Sequence, residues 1–336
     1  MIPAPTTIDH PLTLTAVVDR AEGVHAGKEV VSCRPDGTVA RTTMGACALR
    51  ARRLATVLAG LGIGVGDRVA TLLWNQAEHL EVFFAVPAMG AVLHALDPCL
   101  PADQLADIVG AAGDRIIIVD DSLLGAFSGF RRGHGLEQVI VVSHGWPVRA
   151  GMLDYEAEIA TASPMDWPVL DEKQPAALSY SSRGDERPTG TSYSHRALML
   201  NTLTVALADE LRVSVHDTLL PVLPMFHANA LGLPYAAALI GARLVLPGPR
   251  KDPVVLLNLL AAERVTAAVG DPAAWVAVLA ALDVVPRRWD LRGLDRLIVV
   301  GSMMTSSAFA GYGRHGLRIS QAWGMTEPIA EAGIRR

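Results

Sequence analysis

"RVATLLWNQAEHLEVFFAVPAM", residues Arg68–Met89, joins a short apolar run directly to a longer stretch with helical character. "RVATLLW" has the length and composition of a buried strand, and the segment near 77–89 reads as a helix. "RIIIV" (Arg115–Val119) and "QVIVV" (Gln138–Val142) are strands of the same kind, with a second helical stretch near 102–112 before them. A proline-rich span of mixed charge, 144–174, then interrupts the pattern and marks a boundary or crossover. Beyond it come "AALSYS" (Ala176–Ser181), "TLLPVL" (Thr218–Leu223), "ARLVLP" (Ala242–Pro247), "VTAAVG" (Val265–Gly270), "RLIVVG" (Arg296–Gly301) and "RISQAWG" (Arg318–Gly324), mostly separated by helical segments. Strands alternating with helices predict an α/β fold of two doubly wound, mostly parallel lobes, 1–165 and 166–336. In such sheets ligands bind beyond the carboxyl ends of the strands, where the segments 182–192, 224–229, 301–305 and 324–328 fall.

Composition narrows the function classes. The chain has 336 residues, 51% of them hydrophobic, and a mean hydropathy of +0.31. Its longest uncharged stretch, Thr218–Ala242, holds Pro221, Pro224, Pro234, His227 and Asn229, so it reads as strand, loop and core helix and not as a membrane span. No basic and apolar leader opens the chain, and Cys33, Cys47 and Cys99 are scattered and odd in number. The expectation is a reduced, cytoplasmic protein without a disulfide framework. A net charge of −5 without a basic stripe argues against nucleic acid as a partner. Lys28, Lys173 and Lys251 are the only lysines, against 26 arginines, which confines any catalytic lysine to three positions. His94, His134, His144, His216 and His315 show no metal-ligand spacing, and no metal site is expected.

The segment "YSSRGDERPTGTSYSHRAL" (Tyr180–Leu198) has the outline of a phosphate cradle: a hydroxyl-bearing strand end at Ser181 and Ser182, a loop closed by Gly190, then a helix capped by Ser194. Such a loop holds phosphate through backbone N–H groups that glycines let approach, with a cation beside them. Here Arg183, Asp185, Glu186 and Thr189 stand at the positions that matter. A carboxylate about 4 Å from a phosphate charge costs up to about 4 kcal/mol at an effective dielectric of 20. Tight magnesium–ATP binding is therefore not expected. An ordinary surface turn of the same composition is the competing reading.

The order of several motifs carries a resemblance. "GIGVGDRVATLLWNQAEHLEVFFAVPAMGAVLHALDP" (Gly62–Pro98), "YSHRAL" (Tyr193–Leu198), "LPMFHANALGLPYAAALIGARLVLPGPR" (Leu223–Arg250), "VVGS" (Val299–Ser302) and "QAWGMTE" (Gln321–Glu327) follow one another along nearly the whole chain. Together they resemble the amino-terminal domain of the adenylate-forming enzymes, the acyl-CoA ligase and luciferase-like superfamily, nearest to its medium- and long-chain fatty acyl-CoA ligases. The family loop has the form Y-T-S-G-T-T-G-x-P-K-G. Arg183 and Glu186 replace two of its glycines, and Thr189 its lysine. The sequence ends nine residues after Glu327, so the resemblance implies a truncated chain without the carboxy-terminal domain and its adenylating lysine. Apolar surface bared in this way would favour a homodimer.

The resemblance also implies site residues. His227 in "PMFHAN" would lie at the acyl pocket, against the alternative of a satisfied core histidine. Glu327 corresponds to the magnesium-binding glutamate and Thr326 to a phosphate-contacting hydroxyl. Trp323 and Gly324 would lie beside adenine, and Gly301 and Ser302 in a loop near adenine and acyl group. Trp275 would line the acyl tunnel, unless it is plain core packing. His195, after Ser194, is read as a helix-start residue.

Three functions remain open at this point. One is a repurposed, ATP-independent enzyme of specialised biosynthesis. It would use His227 as base, with Glu327 or Asp185 as acid or orienting group, to cyclise, dehydrate or hydrolyse an acyl substrate tethered to CoA or a carrier protein. The others are a non-catalytic acyl-binding scaffold, and a residual ligase completed by another chain. No nucleophile elbow, dinucleotide fingerprint or Walker loop suggests other chemistry.

Overall fold

Among the described residues fifteen strands form two sheets, each a run of parallel strands with antiparallel pairing at its flanks. The computed structural model describes residues 9–131, 135–181, 188–207, 211–227, 232–323 and 333–335. In chain order the strands are β1 (Glu29–Cys33), β2 (Val39–Thr43), β3 (Arg68–Leu72), β4 (Val92–Ala95), β5 (Ile116–Asp120), β6 (Gln138–Val142), β7 (Leu153–Asp154), β8 (Pro175–Ser181), β9 (Thr189–Ser194), β10 (Thr218–Pro221), β11 (Arg243–Leu246), β12 (Ala267–Gly270), β13 (Arg296–Val299), β14 (Ile319–Trp323) and β15 (Gly333–Arg335). The first sheet runs β7-β6-β5-β3-β4-β8-β9 and the second β15-β14-β13-β12-β10-β11-β1-β2. Among the described strands β1–β2, β8–β9 and β14–β15 pair antiparallel and the others parallel.

Each strand expected from an apolar run is present, and the α/β architecture of mostly parallel sheets is as expected. The sheets, however, do not divide the chain at residue 165. The early hairpin β1–β2 flanks the second sheet through parallel pairing of Val30 with Leu244, and β8–β9 flanks the first through Leu93 with Ala177. Apolar runs identify strands, but their partners are chosen by contacts far apart in sequence, which periodicity does not encode.

One apolar layer lies between the sheets. It takes buried side chains from the helices Thr15–Glu22, Met44–Gly60, Ala77–Ala88, His195–Ala206 and Leu233–Ile240 and from strands of both sheets. Helices Pro253–Ala262, Pro272–Val284 and Ser306–Arg314 cover the outer face of the second sheet, and Ala102–Ala112 that of the first. The helix Ala77–Ala88, drawn from the opening stretch, is buried on every side. Its Glu81 is tolerated there because Arg50 reaches it at 2.6 Å and the Tyr155 hydroxyl donates to it at 2.7 Å.

Two local readings are adjusted. Gly190 does not close a loop: it lies in β9, opposite Tyr180, so that the connection between paired Ser181 and Thr189 is only 182–188. The uncharged stretch 218–242 resolves into β10, a turn and the helix Leu233–Ile240, and no helix among the described residues is long and apolar enough to cross a membrane. Ser194 caps the next helix as read, accepting the Ala197 N–H at 3.2 Å, and His195 is buried at the helix start.

Candidate functional site

In the first sheet β3 runs on to β4 on one side while β5 lies on its other side. In the second, β10 runs on to β11 while β12 lies opposite. Connections leaving neighbouring strands in opposite directions open a crevice at their carboxyl ends. The segments that leave these two crevices are 73–76 and 222–227, and a single side chain ties them together.

That side chain is Asn75, 5% exposed. Its Nδ2 donates to the carbonyls of Pro221 (2.9 Å) and Leu223 (3.0 Å), and its Oδ1 accepts the N–H of Met225 (2.8 Å). Its own carbonyl accepts the N–H of Gly248, beyond β11, at 2.9 Å. Gly248 has φ +64°, and a Cβ there would run into the carbonyl oxygen of Cys33, so this closure requires glycine. The turn carrying "PMFH" is thus held by the first sheet although it leaves the second.

Beside the seam is a cavity of about 190 Å³. Leu73, Trp74, Val222 and Phe226 give it apolar walls, while Cys99, Arg250 and Lys251 supply polar groups. Burial pushes the Cys99 thiol up, Asp97 adds to the effect and Lys251 opposes it, so the sulfur stays protonated at neutral pH and is a poor nucleophile. Of the three lysines, Lys251 lines this cavity, whereas the Lys28 ammonium donates to the Val215 carbonyl at 2.8 Å. Two basic side chains lining an apolar cleft suit a ligand with an apolar body and an anionic end.

His227 ends the turn, exposed, with its N–H on the Pro224 carbonyl at 3.0 Å and Phe226 beside it in the cavity wall. Gly301 and Ser302 follow β13, and Gly301 has φ +103°. Gln321 in β14 gathers their loop: its Oε1 accepts the Met304 N–H at 3.2 Å and its Nε2 lies 3.5 Å from the Ser302 carbonyl. Trp323 ends β14, and Thr189 is exposed at the start of β9, opposite Ser181 at the end of β8. Ser182, Arg183, Asp185, Glu186, Gly324, Thr326 and Glu327 lie outside the described residues.

Trp275, expected at a pocket wall, belongs to the core between helix and sheet. It has no exposed surface, its indole N–H donates to the Ile298 carbonyl at 2.9 Å, and Gly270 leaves room for its ring against β12. His144, which sequence spacing left without partners, stands next to Asp120 and Asp121. Sequence reasoning also passed over Asn75 and Gln321. Their role depends on what their carboxamides reach across the fold, and a single polar residue at a strand end carries no local signal of that.

The profile of the AMP-binding enzyme family matches residues 18–331. The chain belongs to this family. This AMP-binding family member is 41% identical over 324 residues to a long-chain-fatty-acid–CoA ligase of Thermus thermophilus, a match covering 96% of the chain and 59% of that protein. It is 36% identical over 326 residues to a medium-chain-fatty-acid–CoA ligase of Ectopseudomonas oleovorans, covering 94% and 59%. The crystal structure of the anthranilate CoA ligase AuaEII in complex with anthranoyl-AMP superposes with a TM-score of 0.85 at 22% identity, over 96% of this chain and 61% of that one. At that identity the likeness is one of fold. The family member thus spans about three-fifths of the relatives it matches, and it is acyl-CoA ligase-like throughout that span.

Proposed function

We propose that this chain binds an acyl group, free or as a thioester, at the seam between its sheets and acts on it without forming an acyl-adenylate. The observation that carries the reading is where the cations stand. At the position where the family loop has its lysine, the chain has exposed, neutral Thr189. The cationic side chains lining the seam cavity are instead Arg250 and Lys251, which follow β11. Charge is thus offered to an anionic end of the acyl ligand, whereas in the loop sequence Thr189 stands for the lysine and Asp185 and Glu186 add carboxylates. That loop composition disfavours tight binding of magnesium–ATP.

In this reading His227 is the general base. An imidazole is a common proton-transfer group in catalysis, and the turn that carries this one is held from the first sheet by Asn75, with Phe226 beside it in the cavity wall. Glu327 or Asp185 is the acid or orienting partner. A substrate tethered to CoA or to a carrier protein presents the thioester carbonyl on which cyclisation, dehydration or hydrolysis would act.

The identity of 34–41% to CoA ligases supports a second reading, a ligase that still adenylates. Pyrophosphate exchange with fatty and aryl acids separates the two. Background exchange together with saturable binding of a medium-chain acyl thioester supports the first reading, and robust exchange by the purified chain supports the second.

A further inference from the structure

We propose that Asp120, Asp121 and His144, with the carboxamide of Gln76, form a binding site for a divalent metal of the zinc type at the crevice between β3 and β5. Its cleft shares no lining residue with the cavity at Phe226, and the proposal does not rest on the function proposed above.

The donors come from three strand ends. Asp120 closes β5, Asp121 follows it, His144 lies just past β6 and Gln76 just past β3. His144 Nε2 lies 2.9 Å from Asp120 Oδ2, and the His144 N–H donates to Asp121 Oδ2 at 2.7 Å. One ligand atom from each of the three residues lies within 4.8 Å of the others. Tetrahedral zinc with ligands at about 2.0–2.2 Å places its donors roughly 3.3 Å apart, so rotamer adjustments of about an ångström assemble the set. Imidazole nitrogen with carboxylate oxygens is the donor combination that zinc and its first-row neighbours accept.

Gln76 gives the independent indication. It has no exposed surface, its Nε2 lies 3.0 Å from Asp120 Oδ2, and its Oε1 has no hydrogen-bond partner. An orphaned buried carboxamide oxygen is costly. A half-turn of the amide brings Oε1 to the Asp120 carboxylate at the cost of the Nε2 hydrogen bond and of leaving the NH2 where Oε1 now has no partner, so the flipped arrangement forms only with a cation between the two oxygens. The other Asp120 oxygen is already committed, accepting the Ser122 N–H at 3.0 Å and its hydroxyl at 2.5 Å. Ser122 in turn accepts the Trp74 indole N–H at 3.0 Å, so an outer shell that fixes the carboxylate is in place.

Access and charge agree with this assignment. Asp121 and His144 line an open cleft of about 580 Å³ with Trp146, Arg149 and, from the turn between β1 and β2, Asp36. Arg149 opposes a cation, but the two carboxylates on the same walls outweigh it, and the cleft leaves room for water at the remaining coordination position.

The test is calorimetric titration of the full chain, freed of metal with chelator, with zinc chloride. One equivalent should bind, and the thermal midpoint should rise with zinc concentration. His144→Ala and Asp121→Asn should each weaken binding about a hundredfold, and Gln76→Leu about ten- to a hundredfold. Circular dichroism verifies that each variant is folded, and Asp121→Asn, which retains an oxygen for the His144 N–H, carries the test should His144→Ala not fold. Cys99→Ser should bind as the parent does. Absence of stoichiometric binding, or binding left unchanged by Asp121→Asn, overturns the proposal.

Discussion

Asn75 and Met225 meet across the boundary between two sheets: the carboxamide oxygen of one accepts the main-chain N–H of the other at 2.8 Å. The same carboxamide donates to Pro221 and Leu223, so one side chain satisfies three buried main-chain groups of a turn that it does not belong to. Asn75→Ala leaves all three unpaired and should destabilise the fold by about 2–4 kcal/mol, read from urea unfolding. Asn75→Asp should be worse at neutral pH, because a carboxylate oxygen then faces two carbonyls, and should recover in part as the carboxyl group protonates. Equal stability of Asn75→Ala and the parent would sink the idea that this residue holds the turn.

Exchange of pyrophosphate into ATP by the purified chain should remain at background with fatty and aryl acids. Thr189→Lys should not restore it, because Arg183, Asp185 and Glu186 still occupy the loop. Exchange recovered by that single substitution would show that the lysine alone had been missing.

His227→Ala should lower turnover of the natural acyl substrate by about 10²–10⁴-fold, the usual worth of a positioned proton-transfer group. His227 is exposed, so stability should change by less than about 0.5 kcal/mol. Glu327→Gln should cost less than His227→Ala if the carboxylate only orients, and as much if it donates the proton. Thr189→Ala is the control, with turnover near that of the parent. Full activity in His227→Ala rules this mechanism out.

Two buried imidazoles make stability fall in acid. Burial lowers the pKa of His79 to about 4 and that of His195 to about 4. His79 Nδ1 donates to the Trp74 carbonyl at 3.0 Å and Nε2 takes the Thr71 hydroxyl at 3.0 Å, which holds the ring in one neutral tautomer. In the unfolded chain both rings take a proton near pH 6.5. Between 6.5 and 4 the unfolded state binds more protons, and stability falls as the pH does, by at most about 3 kcal/mol per ring. Unfolding free energies measured at pH 7, 6 and 5 should show this slope. His79→Gln should flatten it, and an unchanged slope in that variant would assign it elsewhere.

What the sequence shows and what it hides follow from the range of the interactions. The strand at "RVATLLW" and the helix after it are legible because burial of an apolar run is a local property, and the same holds for "RIIIV", "QVIVV" and the later runs. β9, "TGTSYS", lacks an apolar run, and its glycine and serines mask the strand preference of its threonines and tyrosine, so that its ladder with β8 is what reveals it as a strand. Family membership is legible in the order of motifs. The pairing of His144 with Asp120 is not, since 24 residues separate them and only the neighbouring strands β5 and β6 bring them together. Trp275 misleads for the opposite reason: a large aromatic on a helix has the same local signature in a core as at a pocket.

The exchange of hairpins between the sheets makes the chain behave as an interlock. Residues 1–165 lack β8, which shields the edge of β4, and residues 166–336 lack β1, which shields the edge of β11. Either piece alone would present an open parallel edge, a template for unwanted pairing. Neither half is therefore an autonomous unit that could be borrowed, shed or melted on its own. Two sheets that look like separate bodies are therefore expected to unfold together, and the seam that carries the candidate site with them.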